Sequence, residues 1–80
     1  MKVLFYGRLA EAIRRELEVD APPDCSVAEL RDRLVEEYPE VADVLRSRRA
    51  RTCVGDRLVH DDYRLSLGDR PEFLPPVSGG

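Results

Sequence analysis

The sequence predicts an α+β fold in which one main helix, with short helices beside it, packs on a mixed sheet of four to five strands. Three observations predict it. Residues 26–38, "SVAELRDRLVEEY", carry a complete helix signature; short strand-like segments stand both before and after that stretch; and 80 residues make one domain, so all of these elements share a single core.

Taken in order, "KVLFYG" alternates Val3 and Phe5 with Leu4 and Tyr6, the pattern of a strand covered on one face and partly covered on the other, and Gly7 is expected to end it. In "RLAEAIRREL" the residues Leu9, Ile13 and Leu17 fall at helical spacing among charges, which predicts a short helix before Val19. "ELEVDAPP" then reads as a second strand running into a Pro-Pro turn. Ser26 is a good N-cap, Glu29 completes a capping box, and Val27, Leu30, Leu34 and Tyr38 form one apolar stripe that Pro39 brings to an end. A helical turn follows around "EVADVLRSR". "RTCVGDRLVH" holds two short apolar segments on either side of the turn-forming Gly55-Asp56 and reads as a hairpin. Gly68-Asp69 supplies another turn, and "PEFLPP" is a last strand that Pro71 allows only to begin and Pro75 forces to finish.

Strand, short helix, strand, long helix and two or three further strands fit the β-grasp arrangement, in which the first and last strands lie side by side at the sheet centre. "KVLFY" and "EFLP", the most apolar strand segments, suit that position. The β-grasp domain is expected over residues 1–76, with a flexible arm over 77–80.

Composition removes several classes of function. With 42% hydrophobic and 36% charged residues and no apolar run near the ~18 residues of a membrane span, no membrane role is expected. Arg8 and Glu11 interrupt the apolar start far short of a signal-peptide core, so a cytoplasmic protein is expected. The net charge of -3 argues against nucleic acid, and the local cluster Arg46, Arg48, Arg49, Arg51 and Arg57 is read as a solvated helix end and loop. Cys25 and Cys53 are far apart and His60 is the single histidine, so no metal-ligand set can be assembled from neighbours. The thiols are read as small buried or half-buried side chains and His60 as a surface or turn residue. No catalytic constellation, metal or bound cofactor is expected.

The remaining chemistry lies in the last residues. Phe73 and Leu74 can be anchored in the fold, Pro75 and Pro76 are stiff and extended, Val77 offers one apolar handle, and Ser78, Gly79 and Gly80 are slim. Glycines without Cβ can carry a terminal carboxylate through a passage too narrow for other residues, so the Gly80 carboxylate is the candidate reactive group. A carboxylate is a poor electrophile and needs activation, typically as a mixed anhydride with AMP made from ATP. The chain has no phosphate-binding glycine loop of its own, so that step falls to another protein. A sulfur nucleophile displacing AMP leaves a thiocarboxylate, whereas an amine leaves an isopeptide.

"LSLGDRPEFLPPVSGG" resembles the C-terminus of the small, sulfur-carrying subunit of molybdopterin synthase, where a G-D turn, a strand with an aromatic residue and P-P-V-[ST]-G-G end the chain. "KVLFYGRLAEA" is similar to that family's first strand and helix, and "CVGDRLV" stands where the family has a hairpin. The resemblance implies a ubiquitin-like β-grasp fold and a Gly80 that an E1-like adenylating enzyme activates with ATP and that becomes a thiocarboxylate. It further implies insertion of the arm (Pro75, Pro76, Val77, Ser78, Gly79) into the large catalytic subunit of a heterotetramer, where sulfur passes to a cyclic pyranopterin monophosphate. Partner contacts are expected at apolar residues near the arm, Leu58, Leu74 and Val77, with Tyr6 and Arg8 beside them. Pro71, Leu74, Gly55 and Asp56 depart from the family pattern, departures that leave the fold and the tail intact and bear on the details of partner contact. A carrier for thiamine, tRNA thiolation or cysteine synthesis, a ubiquitin-like protein modifier, and a plain interaction module remain as other readings of a Gly-Gly ending.

Overall fold

The computed structural model describes residues 1–47 and 49–76. It contains β1 (Lys2–Phe5), α1 (Gly7–Ala12), β2 (Glu16–Glu18), α2 (Val27–Glu37), a 3-10 turn (Pro39–Val41), α3 (Ala42–Arg46), β3 (Arg51–Val54), β4 (Arg57–Val59) and β5 (Glu72–Leu74). The five strands form one sheet in the order β2-β1-β5-β3-β4. β1 and β5 run parallel at its middle and every other pair is antiparallel. This is the expected β-grasp connectivity, with the helices on one face of the sheet.

The core lies between α2 and the sheet. Val27, Leu30 and Leu34 of α2 are fully buried, and Val3, Phe5 and Phe73 meet them from the two central strands. Phe5 and Phe73, which are paired in register, stack with ring centroids 5.9 Å apart. The helix starts as its sequence demands: Ser26 Oγ accepts from the Glu29 amide at 3.1 Å, and Glu29 Oε1 accepts from the Ser26 amide at 2.9 Å. Both otherwise orphaned donors are thereby satisfied. Gly55 and Asp56 both take positive φ, as a two-residue hairpin turn matched to right-twisted strands requires.

One expectation fails at the first connection. Leu17 is not on the helix with Leu9; α1 ends at Ala12 with Ile13 as its C-cap, and Leu17 is a strand residue in register with Val3. The spacing suited a helix, but β2 must return along β1, and the Arg15 carbonyl accepting from the Phe5 amide at 2.9 Å starts that return. Gly7 likewise begins α1 rather than ending β1, which stops at Phe5. Its φ of +57° is one that side chains disfavour, and a Cβ there would lie 2.9 Å from Pro75 Cγ.

Arg31 of α2 fastens the later strands beneath the helix. Its Nη1 lies 2.8 Å from Asp61 Oδ1, its Nη2 donates to Thr52 Oγ1 at 3.2 Å, and the guanidinium stands over the Phe73 ring. Thr52, a buried polar residue on β3, thus has a partner.

Gly7→Ala is expected to lower unfolding free energy by at least about 1–2 kcal/mol from the left-handed backbone alone, with the Pro75 contact adding to it. Urea denaturation measures this, and an unchanged midpoint would show that the α1 start relaxes freely. A second expectation concerns acid. Hydrogen bonding to the Ser26 amide, then to the Ser26 side chain, holds the Glu29 carboxyl below its ordinary value. The stabilising contribution is therefore complete above the unfolded glutamate pKa of about 4.3 and is lost as pH falls through the lower folded value. The gap in urea midpoint between the parent and Glu29→Gln should be present at pH 6 and shrink steadily below about pH 4.3; a gap that does not depend on pH would remove the charge from the explanation.

Candidate functional site

Alternation along the strands gives the sheet a second face that no helix covers. On β1, β3 and β5 the buried Val3, Phe5, Thr52, Val54 and Phe73 point toward α2, so Leu4, Cys53, Glu72 and Leu74 point the other way. Register then lines up one row across this open face: Glu16, Leu4, Glu72, Cys53, Leu58. Leu74 lies in the next row beside Arg51. Leu58 is 58% exposed, Tyr6 is 44% exposed, and Leu4, Cys53 and Leu74 are half-buried. The row thus mixes three side chains of apolar character with two carboxylates.

The structure therefore brings together three of the expected partner residues, Leu58, Leu74 and Tyr6, and places them on the open face rather than in the core. Arg8 is exposed on α1, next to the glycine that abuts Pro75. Pro75 and Pro76 are half-buried and follow directly from β5, so the arm leaves the sheet from its central strand. Val77, Ser78, Gly79 and Gly80, with the expected flexible arm over 77–80, lie outside the described residues, as does Arg48.

Neither cysteine is an activated nucleophile. Burial pushes the Cys25 thiol up, and burial followed by the charges of Glu72 and Asp56 does the same to Cys53. Raised thiols are poorly populated as the reactive thiolate at neutral pH. His60 is exposed, and no group of His, Cys, Asp or Glu among the described residues can hold a metal ion. No helix among them is long and apolar enough to cross a membrane. Arg46, Arg49, Arg51 and Arg57 are all exposed, as a solvated cluster should be.

Sequence reading passed over Glu72, whose Oε2 accepts from the Tyr6 hydroxyl at 3.0 Å. That hydrogen bond, with the carboxylate's charge behind it, raises the Tyr6 phenol. The signal was available: once Phe73 is placed inward, Glu72 and Leu74 must face outward.

Comparison with known proteins agrees with this architecture. The ThiS family matches residues 3–80. The chain is 30% identical to the molybdopterin synthase sulfur carrier subunit of Escherichia coli (strain K12), covering 100% of this chain and 99% of that protein. SAMP1 from Haloferax volcanii superposes with a TM-score of 0.82 at 26% identity, over 99% of this chain and 97% of that one. In Helicobacter pylori 26695, a chain in the complex of subunits 1 and 2 of molybdopterin-converting factor has the same fold, with a TM-score of 0.65 at 24% identity over 99% and 96% of the two chains. With the family's pattern spanning all but its first two residues and one relative matched end to end, this ubiquitin-like β-grasp chain belongs to the ThiS family.

Proposed function

We propose that the protein is a sulfur carrier that serves as the small subunit of a molybdopterin synthase. The observation that supports this most is the full-length match to a molybdopterin synthase sulfur carrier subunit, joined to the P-P-V-S-G-G ending. In this reading an E1-like enzyme lets the Gly80 carboxylate attack the α-phosphorus of ATP, releasing pyrophosphate and leaving an acyl adenylate. Hydrosulfide then attacks the acyl carbon and loses its proton, AMP leaves with the bonding pair of the anhydride oxygen, and Gly80 ends as a thiocarboxylate. Docked through Tyr6, Leu58 and Leu74, with Arg8 at the edge, the carrier extends Pro75 to Gly79 into the large catalytic subunit, where the sulfur is transferred to the pyranopterin. Two large and two small subunits make the assembly. ATP is consumed by the activating enzyme, and the carrier itself holds no cofactor.

The described residues fit this division of labour. Raised thiols leave the sulfur chemistry to the terminus, the open face offers an apolar docking surface, and Gly7 against Pro75 sets the direction in which the arm departs. A second reading, attachment of Gly80 to amines of other proteins, has one observation in its favour: the resemblance to SAMP1, whose name denotes a small archaeal modifier protein. Mass spectrometry of the protein from its native host separates the two, since a thiocarboxylate at Gly80 supports the carrier and higher-mass conjugates support the modifier.

Tail geometry gives a sharper test. Deleting Gly80, or adding one residue after it, moves the reactive carbon by about 3.3–3.6 Å, and Gly79→Val adds a β-branched side chain where the passage is narrow. Misplacement by 1 Å can cost on the order of 100-fold in rate. All three variants should melt with the parent yet fail to sulfurate the pterin when mixed with activating enzyme, ATP, sulfur source and large subunit; near-parental turnover by the extended chain would end the proposal.

Leu58→Asp tests the docking face. The side chain is exposed on an edge strand, so the change should alter unfolding free energy by under about 1 kcal/mol while abolishing capture by the large subunit. Parallel losses of stability and binding would mean that Leu58 supports the fold instead.

A further inference from the structure

Glu72 occupies the middle of the open face, and only one of its two carboxylate oxygens accepts from a side chain among the described residues. Its cross-strand neighbours are Leu4 on β1 and Cys53 on β3, with Leu58 one strand beyond. Oε2 accepts from the Tyr6 hydroxyl. No lysine or arginine among the described residues comes within ion-pair distance of the carboxylate, the ion pairs of this chain lying elsewhere. While the face is bare, water satisfies the remaining lone pairs and the arrangement is stable.

Covering the face changes this. A protein laid over Leu4, Cys53, Leu58 and Leu74 removes that water, and a single neutral hydroxyl does not compensate a carboxylate so desolvated. The complex is then stable only if the incoming surface brings a positive charge to the same point. The corner of the face has the opposite sign, because Arg51 stands beside Leu74 where the arm departs. A negative centre with a positive corner distinguishes one docking orientation from another, which apolar contacts alone do poorly.

We propose that Glu72 selects a partner surface presenting an arginine or lysine to the centre of the open face, and that the large subunit accepting the sulfur carries this cation. The proposal rests on the carrier reading above. The partner's side chain donates to Oε1 while Tyr6 keeps Oε2, so the carboxylate is fully bonded when water is excluded. Surfaces with an apolar or acidic residue at that point are rejected, because they leave Glu72 buried without a counter-charge.

Calorimetric titration of the full chain into the large subunit encoded in the same genome tests this, with thermal unfolding of each variant as control. Glu72→Ala should bind at least about tenfold more weakly than the parent, since it strands the partner's cation, and Glu72→Lys about a hundredfold more weakly through like-charge contact. Glu72→Gln, which keeps the shape and the bond to Tyr6, should also lose several-fold. Binding by Glu72→Ala as tight as the parent's or tighter would overturn the proposal, because the carboxylate would then be a burden rather than a contact. So would a Tyr6→Phe variant that loses as much as Glu72→Ala with no further loss in the double variant, which would reduce Glu72 to a support for Tyr6. A parent chain that does not bind the large subunit overturns the carrier reading and this inference with it, so the two failures are distinct.

Discussion

Everything in this molecule depends on the parallel pairing of β1 with β5. Parallel neighbours cannot be joined by a tight turn, so the chain between them must cross over the sheet, and α2 is the element that makes the crossing and roofs the core. Stacked Phe5 and Phe73 are the apolar centre of that pairing, and Arg31 adds a cation over one of the two rings. Because β5 is held on both sides, by β1 and by β3, the residues that follow it leave from the most constrained strand of the sheet. Pro75 and Pro76 therefore depart from a fixed base.

The two faces of the sheet divide the work. Helices cover one face with apolar packing. The other keeps half-buried Leu4, Cys53 and Leu74, exposed Leu58 and Tyr6, and one carboxylate at the middle. Strand alternation makes this separation sharp: a one-residue slip in β5 would send Phe73 outward and Glu72 into the core, so the register that stabilises the fold also composes the open face.

Much of this was legible in the sequence because local rules and tertiary packing agree there. The capping box of Ser26 and Glu29, the Gly55-Asp56 hairpin and the prolines bounding β5 each specify geometry within a few residues. Leu17 was misplaced because helical spacing and strand pairing competed for it, and pairing with β1 won, which no local pattern reveals. Arg31 stayed invisible for a similar reason: its partners Asp61, Thr52 and Phe73 come from three separate stretches of chain. The exposed side of Leu58 was readable only once the register opposite Cys53 was known. Glu72 was hidden by its ordinariness, since a glutamate in a short strand attracts no notice until its neighbours prove apolar.

The contact between Gly7 and Pro75 joins the first turn after β1 to the first residue after β5, two points near opposite ends of the described chain. Closing so long a loop has an entropic cost that grows only slowly with its length. Residues this far apart in sequence meet only in the folded domain, so the approach of Gly7 to Pro75 is a feature that an unfolded chain cannot offer.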